Sequence, residues 1–185
     1  MRGEPLAGDL RRYKSDRADA AEAAAAAGRL REMLGAFLAG HGRSVWAAAG
    51  MSDGPSAVAV VPSGQGRPGA HPLAGLVRSS VALPVVRLSV VPREIHTRGV
   101  NPAWVRVGDP VAGADVLVVD DTWVSGGSAQ STAAALKLAG ARRVAVVVLG
   151  RHVNPADPRS AAFLAAAKNS PQAVPWDAAA SSWRQ

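Results

Sequence analysis

Residues 114 to 128 read Ala-Asp-Val-Leu-Val-Val-Asp-Asp-Thr-Trp-Val-Ser-Gly-Gly-Ser. An apolar run ends in two adjacent acids and then in a turn of small and hydroxylated residues. Ser125, Gly126, Gly127 and Ser128 offer backbone N–H groups and hydroxyls at the start of a helical stretch, where the helix dipole favours an anion such as phosphate. Asp120 and Asp121, one step earlier, are placed to accept hydrogen bonds from hydroxyls of a sugar carrying that phosphate. Their charge can also help hold a hydrated magnesium ion. The pattern suggests a sugar phosphate, against the plainer reading of two acids that only cap a turn.

A second glycine-rich stretch, Pro62-Ser63-Gly64-Gln65-Gly66-Arg67-Pro68-Gly69, comes directly after a valine-rich run. It contains a formal G-x-G-x-x-G, and Glu94 could serve as the ribose-binding acid of a dinucleotide site. Pro68 and Pro72 argue against a helix opening at the second glycine, so the preferred reading is a loop whose amides and Arg67 hold an anionic group. A P-loop is excluded, because no lysine lies between residues 15 and 136.

The elements that must carry these loops are legible as periodicity. Residues 16 to 39 read as a long helix, with Ser15 and Asp16 as candidate caps, an alanine run for propensity, and Gly40 as the stop. Leu30, Leu34, Phe37 and Leu38 form its apolar stripe. Four valine-rich runs, Ala57 to Val61, Val85 to Val91, Val116 to Val119 and Val144 to Leu149, read as strands buried on both faces. A helix is expected over Ser128 to Ala139, capped by Ser128 and stopped by Gly140, and a weaker one over Ala70 to Ser80. Strand, helix, strand in that order implies parallel crossovers and an α/β sheet covered on both sides. The expected layout is one domain overall: an N-terminal helical segment over 1–50, an α/β core over 51–155, and a C-terminal helix and irregular tail over 156–185.

Composition narrows the function classes. The chain has 185 residues and no cysteine, so disulfides, thiolate zinc sites and thiol nucleophiles are excluded and a reducing compartment is the simplest setting. The net charge of +7 is spread along the chain rather than gathered in a stripe, which disfavours a nucleic-acid surface and suits small anionic substrates. No apolar run approaches the roughly 18 residues of a membrane span, so a soluble cytoplasmic protein is expected. His41, His71 and His152 show no metal-ligand spacing and read as structural or solvated. Trp104, Trp176 and Trp183 read as packing or capping residues.

Val116 to Ser128 resembles the phosphoribosyl diphosphate (PRPP) signature of type I phosphoribosyltransferases, a hydrophobic strand followed by two acids and a Thr/Ser-Gly-x-Thr phosphate loop. More weakly, the layout from about residue 10 to 151 is similar as well. Arg12-Tyr13-Lys14 before a long helix is similar to the start of the competence protein F-like, actinobacterial-type branch, although the cysteine-rich zinc segment common in that branch is absent. The resemblance implies a parallel twisted sheet of that family's kind with flanking helices and an N-terminal long helix. It further implies that Asp120, Asp121, Thr122 and Ser125 to Ser128 bind PRPP, with Asp120 and Asp121 on the ribose hydroxyls and Ser125 to Ser128 on the 5′-phosphate. Ser63, Gly64, Gln65, Gly66 and Arg67 would bind pyrophosphate, and Arg93, His96 and Arg98 would belong to a flexible loop closing over the reaction.

The implied activity is magnesium-dependent transfer of the phosphoribosyl group from PRPP to a nitrogen-containing acceptor in nucleotide metabolism, with Asp120, Asp121 and Arg67 as the catalytic set. Mg2+ would be held through PRPP rather than by direct protein ligands, and the family allows a homodimer. Val124 departs from the family pattern by replacing a threonine, and Trp123 is bulkier than the usual residue. A non-catalytic PRPP or nucleotide sensor of the same fold is the alternative that these departures leave open.

Overall fold

The computed structural model describes residues 5–63, 71–91, 99–153 and 165. Two helices lead the chain, α1 (Pro5–Arg12) and α2 (Ala20–Ala48). Then come β1 (Ala57–Val60), α3 (Pro72–Ser80), β2 (Val85–Val86), β3 (Leu88–Val90), a 3-10 turn (Pro102–Trp104), β4 (Val105–Val107), β5 (Asp115–Trp123), α4 (Gly127–Leu138) and β6 (Arg143–Arg151). Among the described residues no helix is long and apolar enough to cross a membrane.

The main sheet has the order β2-β1-β5-β6 and every pair is parallel, as the strand-helix-strand pattern requires. Period-two alternation sends Val58, Val60, Leu117, Val119, Val147 and Leu149 to one face, where α2 and α3 cover them. Ala57, Ala59, Val61, Val116 and Val118 go to the other, against α4 and the strands β3 and β4. Burial on both faces is why these strands are near-continuous runs of valine and alanine. The fold is α/β, with a four-stranded parallel sheet and flanking helices.

Connections leave the sheet in opposite directions: β1 passes through α3 to β2 on one side, and β5 passes through α4 to β6 on the other. The order therefore reverses between β1 and β5, and at such a switch point a crevice opens at the carboxyl ends of the strands. Ser63, Asp120 and Asp121 all lie at that edge, because Val60 is in register with Val119 and Val61 N–H donates to the Val119 carbonyl at 3.0 Å.

Several boundaries differ from the sequence expectation. The cap of α2 is Asp19, whose carboxylate accepts from Ala21 N at 2.8 Å and Glu22 N at 3.3 Å, and not Ser15 or Asp16. Nor does α2 stop at Gly40. It runs eight residues further, ending where Gly50 adopts φ +72° and Met51 N–H reaches back to Trp46 O, a Schellman closure that Gly40 does not make. The run Val85 to Val91 is two strands. Arg87 N–H turns aside to the Asp109 carboxylate at 2.7 Å, and β3 pairs antiparallel with β4 in a separate two-stranded sheet. Ser128 does not cap its helix, since α4 begins one residue earlier with Gly126 at the N-cap. Gly140 does lie just past the end of α4, and His71, the only one of the three histidines at a cap, accepts from Leu73 N to open α3 at Pro72.

Leu30 is fully buried between α2 and the sheet. Leu30→Ala should cost about 2–5 kcal/mol in folding free energy, read from urea denaturation. A loss below about 1 kcal/mol would mean that α2 is not seated on the sheet.

Candidate functional site

Strand β5 extends beyond its valine run to Trp123, so the two acids stand within the strand rather than after it. Neighbouring strand residues point to opposite faces, and the pair is split accordingly. Asp121 faces the α1 side, where its Oδ2 accepts from Tyr13 Oη at 2.5 Å and from Lys14 Nζ at 2.8 Å. Asp120 Oδ1 instead accepts from the Asp121 backbone N–H at 2.9 Å.

This asymmetry separates the two titrations. Burial pushes the Asp120 carboxyl up to about 6, and the neighbouring Asp121 charge adds to the effect. For Asp121, burial also acts upward, but the hydrogen bonds from Lys14 and Tyr13 and the Lys14 charge outweigh it and hold the carboxyl below its ordinary value. Asp121 is thus a paired carboxylate held in its charged form, and Asp120 is the one whose pKa is raised by its surroundings. Tyr13 and Lys14 belong to a triplet conspicuous in the sequence, but their contact with Asp121 spans more than 100 positions and no local pattern shows it.

The third acid of the segment, Asp115, is at the far end of β5. Its carboxylate is held by Arg142 through bonds of 2.8 and 2.6 Å, so it ties β5 to the start of β6 and is remote from the crevice.

After Trp123 the chain turns through Val124 and Ser125 into α4. Gly126 adopts φ +79°, a left-handed conformation, and a Cβ there would overlap Trp123 Cζ2. The indole packs directly over the turn and only glycine fits beneath it. The first backbone hydrogen bond of α4 runs from Gln130 N–H to Gly126 O, which leaves the amides of Gly127, Ser128 and Ala129 ahead of the helical ladder. Ser125 Oγ accepts from Gly127 N at 3.4 Å. Ser131 Oγ donates to Gly127 O at 2.6 Å, fixing the peptide group that carries the Ser128 N–H, and accepts from Asn101 N at 2.9 Å. Beside this turn a narrow cleft is bounded by Pro62, Val90, Trp104, Ser128 and Thr132. Thr132 Oγ1 is buried there with no hydrogen-bond partner among the described residues.

The structure therefore gathers Asp120, Asp121, Thr122, Ser125, Gly126, Gly127 and Ser128 in one strand-turn-helix unit, with Ser63 three residues past the end of the adjacent strand β1. Gly64, Gln65, Gly66 and Arg67 lie outside the described residues, as do Arg93, Glu94, His96, Arg98, Trp176 and Trp183.

No family model and no curated protein sequence matches this chain. Among solved structures it is similar to phosphoribosylpyrophosphate synthetase from Mycobacterium smegmatis, at 20% identity over 71% of this chain and 36% of that one, with TM-score 0.42. It is similar also to a hypoxanthine phosphoribosyltransferase from Staphylococcus aureus, at 15% identity over 66% of this chain and 62% of that one, with TM-score 0.42. A third is orotate phosphoribosyltransferase from Mycobacterium tuberculosis H37Rv in complex with PRPP, at 24% identity over 77% and 72% of the two chains, with TM-score 0.38. The chain thus spans about a third of the synthetase and under two thirds of the hypoxanthine enzyme.

Two outcomes are expected from this geometry. Gly126→Ala should destabilise the fold by roughly 1–2 kcal/mol from the left-handed backbone alone, with a further loss from displacing Trp123. Gly126→Ala combined with Trp123→Ala should lose only the backbone part relative to Trp123→Ala, and denaturation of the four proteins in a double-mutant cycle measures it. The second concerns Asp120. Between its unfolded value of 3.8 and its folded value of about 6, the unfolded chain releases a proton that the folded chain keeps, so this group lowers stability as pH rises through that window. Asp120→Asn should therefore raise the melting temperature at pH 7 to 8, and the gain should fade as pH drops below about 4. Equal gains at both ends of the range would refute the assignment.

Proposed function

We propose that the protein binds PRPP at the crevice between β1 and β5 and transfers its phosphoribosyl group to a nitrogen-containing acceptor, releasing pyrophosphate. The observation that carries this reading is the strand-turn-helix unit from Asp115 to Ser128. It puts one responsive carboxylate and an anion-ready helix start side by side at the sheet's switch point.

In this reading the amides of Gly127, Ser128 and Ala129, with the hydroxyls of Ser125 and Ser128, hold the 5′-phosphate, and an anion at a helix start gains about 0.3–1 kcal/mol from the dipole. Asp120 accepts hydrogen bonds from the ribose hydroxyls. Because Asp121 is engaged by Tyr13 and Lys14, it supports the pair from behind, and Thr122 donates to it from the same strand. Transfer proceeds through a transition state with oxocarbenium character at the anomeric carbon, so the protein's task is to hold the ribose still while the leaving group departs. Ser63 and the residues after it, with Arg67, are assigned to the leaving diphosphate, and Arg93, His96 and Arg98 to a segment that excludes water. The branch similar to competence protein F remains part of this proposal through Arg12-Tyr13-Lys14.

Among the described residues no three His, Asp or Glu side chains converge into a metal cage. With Asp121 committed to Lys14, the donor set fits a magnesium ion that travels on the diphosphate and retains its waters. When bound, that ion would neutralise charge on the leaving group.

A sensor without transfer activity is the second reading, favoured by one observation: Val124 is 60% exposed at the tip of the phosphate turn and offers no side-chain donor. Calorimetric titration of PRPP with and without magnesium, then pyrophosphate release with a panel of nitrogenous bases, separates the two. The transferase reading expects binding with acceptor-dependent release, and the sensor reading expects binding alone. Asp120→Asn should weaken magnesium-PRPP binding about ten-fold, or about 1.4 kcal/mol. Absence of PRPP binding by the unmodified chain would end both readings.

A further inference from the structure

Helix α1 is fastened to the body of the protein at two points. The Asp9 carboxylate, almost fully buried, accepts from Arg29 Nε at 2.8 Å and Nη2 at 2.6 Å, which joins α1 to α2. Leu10 packs on β6 where that strand carries Gly150, and a Cβ there would lie 2.6 Å from Leu10 Cδ1. These contacts bring the next residues, Tyr13 and Lys14, to the carboxyl end of β5. Tyr13 is buried, and the Lys14 side chain is 34% exposed and reaches Asp121 from the solvent side. Both donate to the same oxygen, Asp121 Oδ2.

A nearly buried carboxylate needs such partners, but the two donors are not equivalent. Tyr13 supplies a neutral hydrogen bond, whereas Lys14 supplies a full positive charge beside an acid pair. Although the two side chains leave opposite faces of β5, two uncompensated charges at its carboxyl end would sum to a stronger negative potential there, attracting a free divalent cation and repelling a ligand that carries phosphate and diphosphate. With Lys14 in place, the net charge of Asp120, Asp121 and Lys14 is that of one carboxylate.

We propose that Lys14 is a positioning residue that cancels the Asp121 charge, so that the crevice presents one carboxylate rather than two and selects a phosphorylated sugar over a free divalent cation. The inference deepens the phosphoribosyl reading by assigning the N-terminal helix a part in ligand selection. It predicts opposite effects on two ligands, which a merely structural role would not produce.

The test uses the full chain and compares Lys14→Met, Lys14→Gln, Lys14→Arg and Tyr13→Phe with the unmodified protein. Each is titrated calorimetrically with Mn2+ alone and, separately, with PRPP at saturating magnesium. Both neutral Lys14 variants should bind Mn2+ at least about five-fold more tightly and PRPP at least about five-fold more weakly, the effect of one charge pair. Lys14→Arg should match the unmodified protein, and Tyr13→Phe should stay within about two-fold on both ligands, since it removes a hydrogen bond and no charge. Unchanged Mn2+ affinity in the neutral variants overturns the inference, and so does a loss of affinity for both ligands. Tighter Mn2+ binding by those variants, with no PRPP binding by the unmodified protein, would uphold the charge clamp and sink the phosphoribosyl reading.

Discussion

The parallel ladder between β1 and β5 is the constraint on which the rest of the molecule depends. It registers Val60 with Val119, and so puts the end of one loop-bearing strand beside the acid pair of the other. Because both faces of these strands are covered, the ladder excludes water and β5 carries its charged residues only at its two ends, Asp115 at the start and the acid pair at the carboxyl end. Chain direction then decides the remainder: with crossovers leaving to opposite sides, the switch point between β1 and β5 is where a crevice is expected at the carboxyl ends of the strands.

Adjacent carboxylates at the end of a buried strand present an electrostatic problem. The fold answers it unevenly. Alternation of side chains sends Asp121 toward α1 and Asp120 toward the opposite face, and the N-terminal segment gives Asp121 hydrogen bonds from a phenol and an ammonium. Asp120, buried and beside a charged neighbour, with the Lys14 charge acting on it only from a distance, is left with a carboxyl raised to about 6. Perturbed carboxyls of this kind cluster at functional sites, which is why Asp120 takes the ribose-facing role in the phosphoribosyl proposal.

The turn into α4 shows a similar division between what is held and what is offered. Trp123 closes over Gly126 and locks the backbone, while Ser131 orients the Gly127 carbonyl and ties it, through Asn101, to the segment preceding β4. Both sides of the crevice are thereby linked to the first turn of one helix. Gly126 at the N-cap has no side chain to cap these amides, and Ser125 Oγ takes only the Gly127 N–H, at 3.4 Å.

The sequence by itself determined the elements with strong local signals. The valine runs marked β1, β5 and β6, and Gly140 marked the end of α4. The acid pair with its Ser-Gly-Gly-Ser turn marked a strand-turn-helix unit, because strand burial and turn geometry each demand particular residue types within a few positions. Where the signal was ambiguous, local reading stopped in the wrong place. Gly40 resembles a helix stop but continues α2, since only tertiary packing decides whether a glycine adopts the left-handed conformation, and here Gly50 does. Helix α1 and strands β3 and β4 are too short to stand on propensity: α1 exists because it is tied to α2 and β6, and the two strands because they pair with each other. Tertiary structure alone decided that Asp120 and Asp121 differ. Their sequence context is shared, but the Tyr13 and Lys14 contacts that distinguish them arrive from a segment more than 100 residues away.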